Sequence, residues 1–118
     1  MSDIRLLTSA LRAARFRFSS EDELQSGVAE VLTAADMAFE REVAISQRDR
    51  LDFLAGTTAI EVKVEGGRND LLRQLARYAR HDGIQDLVVV TSRARHTGLP
   101  DSIGSKPIHV VWVSGGAL

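Results

Sequence analysis

Hydrophobic and polar positions along the chain change period several times, and each change predicts an element. Asp3 to Phe16 sets Ile4, Leu7, Leu11 and Ala14 at helical intervals with Arg5, Arg12 and Arg15 elsewhere, which predicts a short basic amphipathic helix. Ser20 and Glu23 have capping-box spacing, and Leu24, Val28, Val31 and Ala35 follow at helical intervals, so a second helix is expected from Ser20 to about Asp36. Gly27 interrupts it at a cost of about 1 kcal/mol relative to alanine, as expected where another group approaches that turn closely. Phe39 to Ser46 shifts toward alternation, with Val43 and Ile45 on one face, and predicts a strand.

Arg50 to Val64 (RLDFLAGTTAIEVKV) reads as two strands folded back around a tight turn at Gly56-Thr57. With Ala55 and Thr58 flanking the turn, Leu54 pairs with Ala59, Phe53 with Ile60 and Asp52 with Glu61. Ile60, Val62 and Val64 supply the apolar face, and Arg50, Asp52, Leu54, Ala59, Glu61 and Lys63 share the other. Gly66-Gly67 ends the hairpin, and Asn69 or Asp70 can cap a helix running from about Asp70 through His81, stopped by Asp82 and Gly83. Leu71, Leu72, Leu75, Ala76 and Ala79 form its apolar stripe, Arg73, Arg77 and Arg80 a basic one, and Gln74, Tyr78 and His81 the remaining flank. Asp86 to Thr91 is a near-continuous apolar run, expected as a buried strand parallel to its partner across a β-α-β crossover. Ser92 to Pro107 reads as a long polar loop, and Ile108 to Val113 as a last strand ended by Gly115-Gly116.

Composition narrows the class without naming it. The 118 residues fit one domain, with 44% hydrophobic and 26% charged residues. With no cysteine, disulfides, thiolate zinc sites and cysteine nucleophiles are excluded, which fits a soluble protein of the cytoplasm. No apolar run approaches the roughly 20 residues that span a bilayer, and Met1 to Ser19 lacks a secretory pattern. A net charge of −1 argues against holding nucleic acid by bulk charge, although local basic patches remain open. Arg73, Arg77 and Arg80 suit either a solvated face or DNA phosphates, and Arg93 and Arg95 add basic character to the long loop. His81, His96 and His109 show no metal-ligand spacing and are not expected to be catalytic.

The chemistry is concentrated at the hairpin. Cross-strand neighbours on one face have Cβ atoms roughly 4.5–5.5 Å apart, and directly opposed like charges destabilise a strand pair. Asp52 and Glu61 therefore call for a positive partner, and Lys63 projects from the same face. One reading is a half-exposed hairpin with Lys63 pairing diagonally to Asp52. The other is a divalent cation site: magnesium takes one or two carboxylates together with water and phosphate oxygens. An acidified water beside Lys63 would then suit phosphodiester hydrolysis.

Order and spacing together resemble the PD-(D/E)XK nuclease superfamily, which has the restriction-endonuclease-like fold. The resemblance covers about Ser20 to Ser92: a helix with a carboxylate (SEDELQSGVAEVL), the aspartate in RLDFLAG, the glutamate and lysine in AIEVKV, and RQLARYA, whose Gln74 and Tyr78 have the Q-x-x-x-Y spacing of RecB-like members. Leu51 stands where the motif's proline would be. The resemblance implies an α/β protein with an αβββαβ core, a mixed central sheet flanked by helices, an extra N-terminal helix (1–18) and a C-terminal strand after the 20–92 core. It implies Asp52 and Glu61 as ligands of Mg2+ or Mn2+, Lys63 as catalytic lysine, and Glu23 as the helix carboxylate with Glu30 as its rival. Gln74 and Tyr78 would support the site or the DNA backbone. The implied activity is metal-dependent DNA cleavage. Short stand-alone cores of this kind resemble Holliday-junction resolvases and VRR-Nuc-like proteins of DNA repair or recombination, which often act as homodimers. Two protomers could join the Arg73, Arg77, Arg80 stripe to the Arg93–His96 loop in one basic track. The alternative is an inactive module of the same fold that binds DNA or a protein.

Overall fold

The computed structural model describes residues 3–114. A single six-stranded mixed sheet separates two apolar clusters, one under the first two helices and one under the third. In chain order the elements are α1 (Ile4–Ala13), α2 (Glu21–Ala34), β1 (Glu40–Ala44), β2 (Arg50–Ala55), β3 (Thr58–Lys63), α3 (Arg68–Tyr78), β4 (Asp86–Thr91), a single 3-10 turn (Ala94–His96), β5 (Ser102–Ile103) and β6 (Lys106–Trp112). The sheet order is β1-β2-β3-β4-β6-β5. Neighbours β1–β2, β2–β3 and β5–β6 are antiparallel, whereas β3–β4 and β4–β6 are parallel. Among the described residues no helix is long and apolar enough to cross a membrane.

The elements follow from local chemistry. Ser20 Oγ accepts the Glu23 N–H at 3.1 Å and starts α2, as the capping-box spacing requires. Gly56, at φ 61°, occupies the first turn position, where a two-residue hairpin wants a positive φ. The register then follows the expected one, with Ala55 opposite Thr58, Leu54 opposite Ala59 and Phe53 opposite Ile60. β4 is buried almost throughout because helices cover both faces, and it runs parallel to β3.

Several boundaries differ from expectation, each for a physical reason. α1 stops at Ala13 and Ala14 is extended, because Arg15-Phe16-Arg17-Phe18 alternates with period two, with both phenylalanines buried and both arginines exposed. Phe16 explains Gly27: a Cβ there would lie 2.9 Å from the Phe16 ring. α3 begins at Arg68 with Gly67 as its N-cap, so Asn69 and Asp70 lie inside the helix, and it ends at Tyr78. The presumed loop at 92–107 contains the 3-10 turn and a short hairpin, with Ile103 opposite Lys106. Gly115-Gly116, expected to end the last strand, lies outside the described residues.

Candidate active site at the end of the hairpin

β2 and β3 do not remain a regular ladder up to the acidic pair. The pairing runs from Ala55–Thr58 to Phe53–Ile60, and at the next step the Asp52 carboxylate turns inward, Oδ2 accepting the Val62 N–H at 2.8 Å. On the neighbouring strand Glu42, which falls between the Arg41–Phe53 and Val43–Leu51 pairs, has φ 52°. Non-glycine residues rarely adopt that left-handed conformation, which costs of order 1–3 kcal/mol. The sheet also changes face here: Phe53 and Ala55 pack with the α1–α2 cluster, whereas Leu51 packs with the α3 cluster. Asp52 thus sits at a twist in the sheet, and the expectation of six residues alternating on one flat face is corrected.

Glu61 is not on a wet surface. It is only 4% exposed, and its carboxylate lies between the Lys63 ammonium, 3.5 Å from Oε2, and the Tyr78 hydroxyl, 3.3 Å from Oε1. The Tyr78 oxygen accepts a bond from Gln74 Nε2 at 2.8 Å, and its own proton has the Arg50 carbonyl at 3.1 Å as a second acceptor. Gln74 and Tyr78, four residues apart on α3, therefore form a chain that ends on Glu61. Lys63 pairs with Glu61 rather than diagonally with Asp52.

The electrostatics follow from this burial. Desolvation, and then the neighbouring Asp52, push the Glu61 carboxyl up to about 8. Asp52 is pushed up to about 6, again first by burial, against the Val62 N–H bond that favours its charged form. Glu21 and Glu42 raise Asp52 further, and Lys63 opposes both shifts. Burial, followed by the two carboxylates, also raises the Tyr78 phenol. Four acidic side chains thus bear on a pocket with one ammonium.

The helix carboxylate at this pocket is Glu21, not Glu23. Glu23 Oε1 accepts from the Ser19 N–H at 2.6 Å and from the Ser19 hydroxyl at 2.8 Å, bonds that hold its carboxyl below the usual range. Glu23 and Glu30 share the outer cleft of α2 with Arg15, Phe16 and Gly27. Glu21, two residues earlier and so about 200° around the helix, accepts the Val64 N–H at 3.1 Å through Oε1. The capping pattern marked Glu23, but nothing in that local pattern marked Glu21.

The segment after Lys63 is clasped from both sides. Arg93 Nε donates to Val64 O at 2.5 Å, Arg95 Nε to Gly66 O at 2.9 Å, and the fully buried His96 contacts Gly66 O through Nε2 at 2.9 Å and Thr91 Oγ1 through Nδ1 at 2.6 Å. Arg93 and Arg95 thus hold backbone through Nε. Arg77 is also engaged, its Nε 2.8 Å from the buried Asp49 carboxylate. Arg73 pairs with Asp70 where both are exposed, a contact of little energetic weight. Arg80 lies in the turn after α3. The arginine stripe is not a free basic track.

No group of three or more His, Asp or Glu among the described residues could hold a metal ion alone. Asp52 and Glu61 are crowded and partly desolvated, with Lys63 as the cation that opposes both upward shifts. A cleft of about 320 Å³ is lined by Lys63 and Gln74, which contact Glu61 directly or through Tyr78, together with Glu65, Asp70 and Arg77. Set against family models, curated proteins and solved structures, the chain matches none.

Tyr78→Phe tests the chain of bonds. Losing the hydroxyl leaves Gln74 Nε2 and the Arg50 carbonyl short of a partner and removes a bond that favours ionised Glu61. The expected result is a loss of about 1–3 kcal/mol in denaturant titrations and an alkaline shift of the Glu61 titration followed by carboxyl NMR. An unmoved Glu61 would show that Tyr78 only fills space.

Proposed function

We propose that this protein is a metal-dependent DNA endonuclease of the PD-(D/E)XK type, with the restriction-endonuclease-like topology that its αβββαβ element order suggests. One observation carries the reading: Asp52, Glu61 and Lys63, the three positions of the motif, converge at a twist in the sheet, and Gln74 and Tyr78 reach the same carboxylate from α3. An ordinary solvent-facing hairpin has no reason to bury Glu61 or to join it to a helix by a two-residue bond chain.

Asp52 and Glu61 would hold Mg2+ or Mn2+, with Glu21 adding negative charge from α2. Bound there, the ion supplies Lewis acidity and a water acidified enough to attack a phosphodiester. The Val62 N–H fixes Asp52 through one oxygen. The Tyr78 hydroxyl orients Glu61 and favours its ionised, ligating form. Lys63, held in place by the clasped 64–66 segment, presents an ammonium to the charge that grows on the phosphate. Arg80, exposed in the turn after α3, would be available to a flanking phosphate. A homodimer, as in resolvase-like relatives of the superfamily, belongs to the same proposal.

Incubation with branched, linear and single-stranded DNA in Mg2+ or Mn2+ tests it, with chelator and Asp52→Asn as controls. The expected outcome is cleavage that both controls abolish, with the loss in Asp52→Asn about a hundredfold or more. Binding without cleavage under every condition would favour the inactive module.

A further inference from the structure

We propose that the face around Trp112 receives unpaired DNA bases and leads the strand to the carboxylate site. The proposal rests on the nuclease reading for its destination but not for its binding chemistry. Trp112, the chain's sole tryptophan, is 61% exposed at the end of β6, where it pairs with Thr91 of β4. A single exposed aromatic is ordinary by itself, and what distinguishes this ring is its surroundings.

Two clefts meet at Trp112. One, of about 520 Å³, runs from Val64 and Glu65, directly after Lys63, past Ser20 and Arg93 to Trp112. The other, of about 400 Å³, runs from Trp112 along Arg12, Arg15 and Arg17. Together they carry four arginines and one glutamate, with Arg15 and Arg17 also bordering the α2 cleft that holds Asp22, Glu23 and Glu30. The Arg15-Phe16-Arg17-Phe18 segment builds the route: both phenylalanines are buried, and both exposed arginines line the same cleft. Arg12 is anchored on the Val110 carbonyl at 3.2 Å, and Arg93 on Val64 O through Nε. An exposed indole flanked by arginines is the chemistry of single-strand recognition, in which bases stack on the ring and guanidinium groups follow the phosphates. A blunt duplex stacks its interior bases on one another and offers the ring only its end pairs.

Trp112 fluorescence reports the contact directly. The full chain, held in chelator so that nothing is cut, is titrated with short oligothymidylate and with blunt duplex. The single strand is expected to quench the indole and the duplex to leave it nearly unchanged. Labelled-oligonucleotide anisotropy should show about a tenfold loss of single-strand affinity in Trp112→Ala and a smaller loss in Trp112→Phe. Arg15→Ala with Arg17→Ala should reduce the steepness of its salt dependence. No quenching, or unchanged affinity in Trp112→Ala, overturns the proposal even if the protein cleaves DNA. Quenching without cleavage in metal supports the platform and removes the nuclease reading instead. If fluorescence depends on protein concentration and not on oligonucleotide, the face is an interface between copies and the proposal falls.

Discussion

Glu61→Gln is expected to abolish metal-dependent cleavage and at the same time to stabilise the metal-free protein at pH 8. The wild-type carboxyl is pushed up to about 8 from an ordinary 4.5, first by burial and then by Asp52. An acid raised in this way binds more protons when folded than when unfolded. Its contribution to stability is therefore fully present below pH 4.5 and is lost as the pH rises through about 8. Asp52 follows the same sign over the lower window from 3.8 to about 6. Metal-free wild type should lose several kcal/mol between pH 4 and 8 from this pair. Glutamine cannot ionise and no longer repels Asp52, so most of that slope should vanish, and at pH 8 the variant should melt several degrees higher. Mg2+ should restore the wild type at pH 8 by binding the ionised folded state, and should leave the variant unchanged. Urea titrations at both pH values, with and without Mg2+, measure all of this. A variant as pH-dependent as wild type would refute the account of a buried, crowded acid pair.

Lys63→Ala should separate metal binding from catalysis. The ammonium lies 3.5 Å from Glu61 Oε2 and opposes the upward shifts of both acids. Without it Glu61 should titrate higher still, while Mg2+ loses a competing cation and remains bound at alkaline pH. Cleavage should nonetheless fall by about 10²–10³-fold, the usual consequence of removing one group aimed at charge in the transition state. Lys63→Arg should recover little, because a planar fork does not replace a compact ammonium. Isothermal titration with Mg2+ or Mn2+ beside single-turnover cleavage distinguishes the two effects. Wild-type cleavage in Lys63→Ala would remove Lys63 from the mechanism. Loss of metal binding together with activity would make its role structural.

What could be read in the chain was what short-range chemistry controls. The hairpin register follows from period-two alternation and a glycine at the turn, so Phe53–Ile60 and Leu54–Ala59 pair as expected. The Ser20 cap and the buried β4 strand are equally local. The approach to Gly27 was foreseeable as a need, but its source, the Phe16 ring, required the path of the chain after α1.

The carboxylate site was half legible. Its residue types stand close together in sequence, but what surrounds them comes from distant segments. Sequence by itself determined that Asp52, Glu61 and Lys63 share the end of one hairpin, because neighbours along paired strands must be neighbours in space. Only the tertiary structure decided that Glu61 is buried, that Asp52 turns onto the Val62 N–H at a twist shared with Glu42, and that Glu21 rather than Glu23 faces them. It also assigned Arg77, Arg93 and Arg95 to Asp49, Val64 and Gly66. The physical reason is that burial and the choice of ion-pair partner depend on which elements pack together across the sheet, and no period along the chain encodes that.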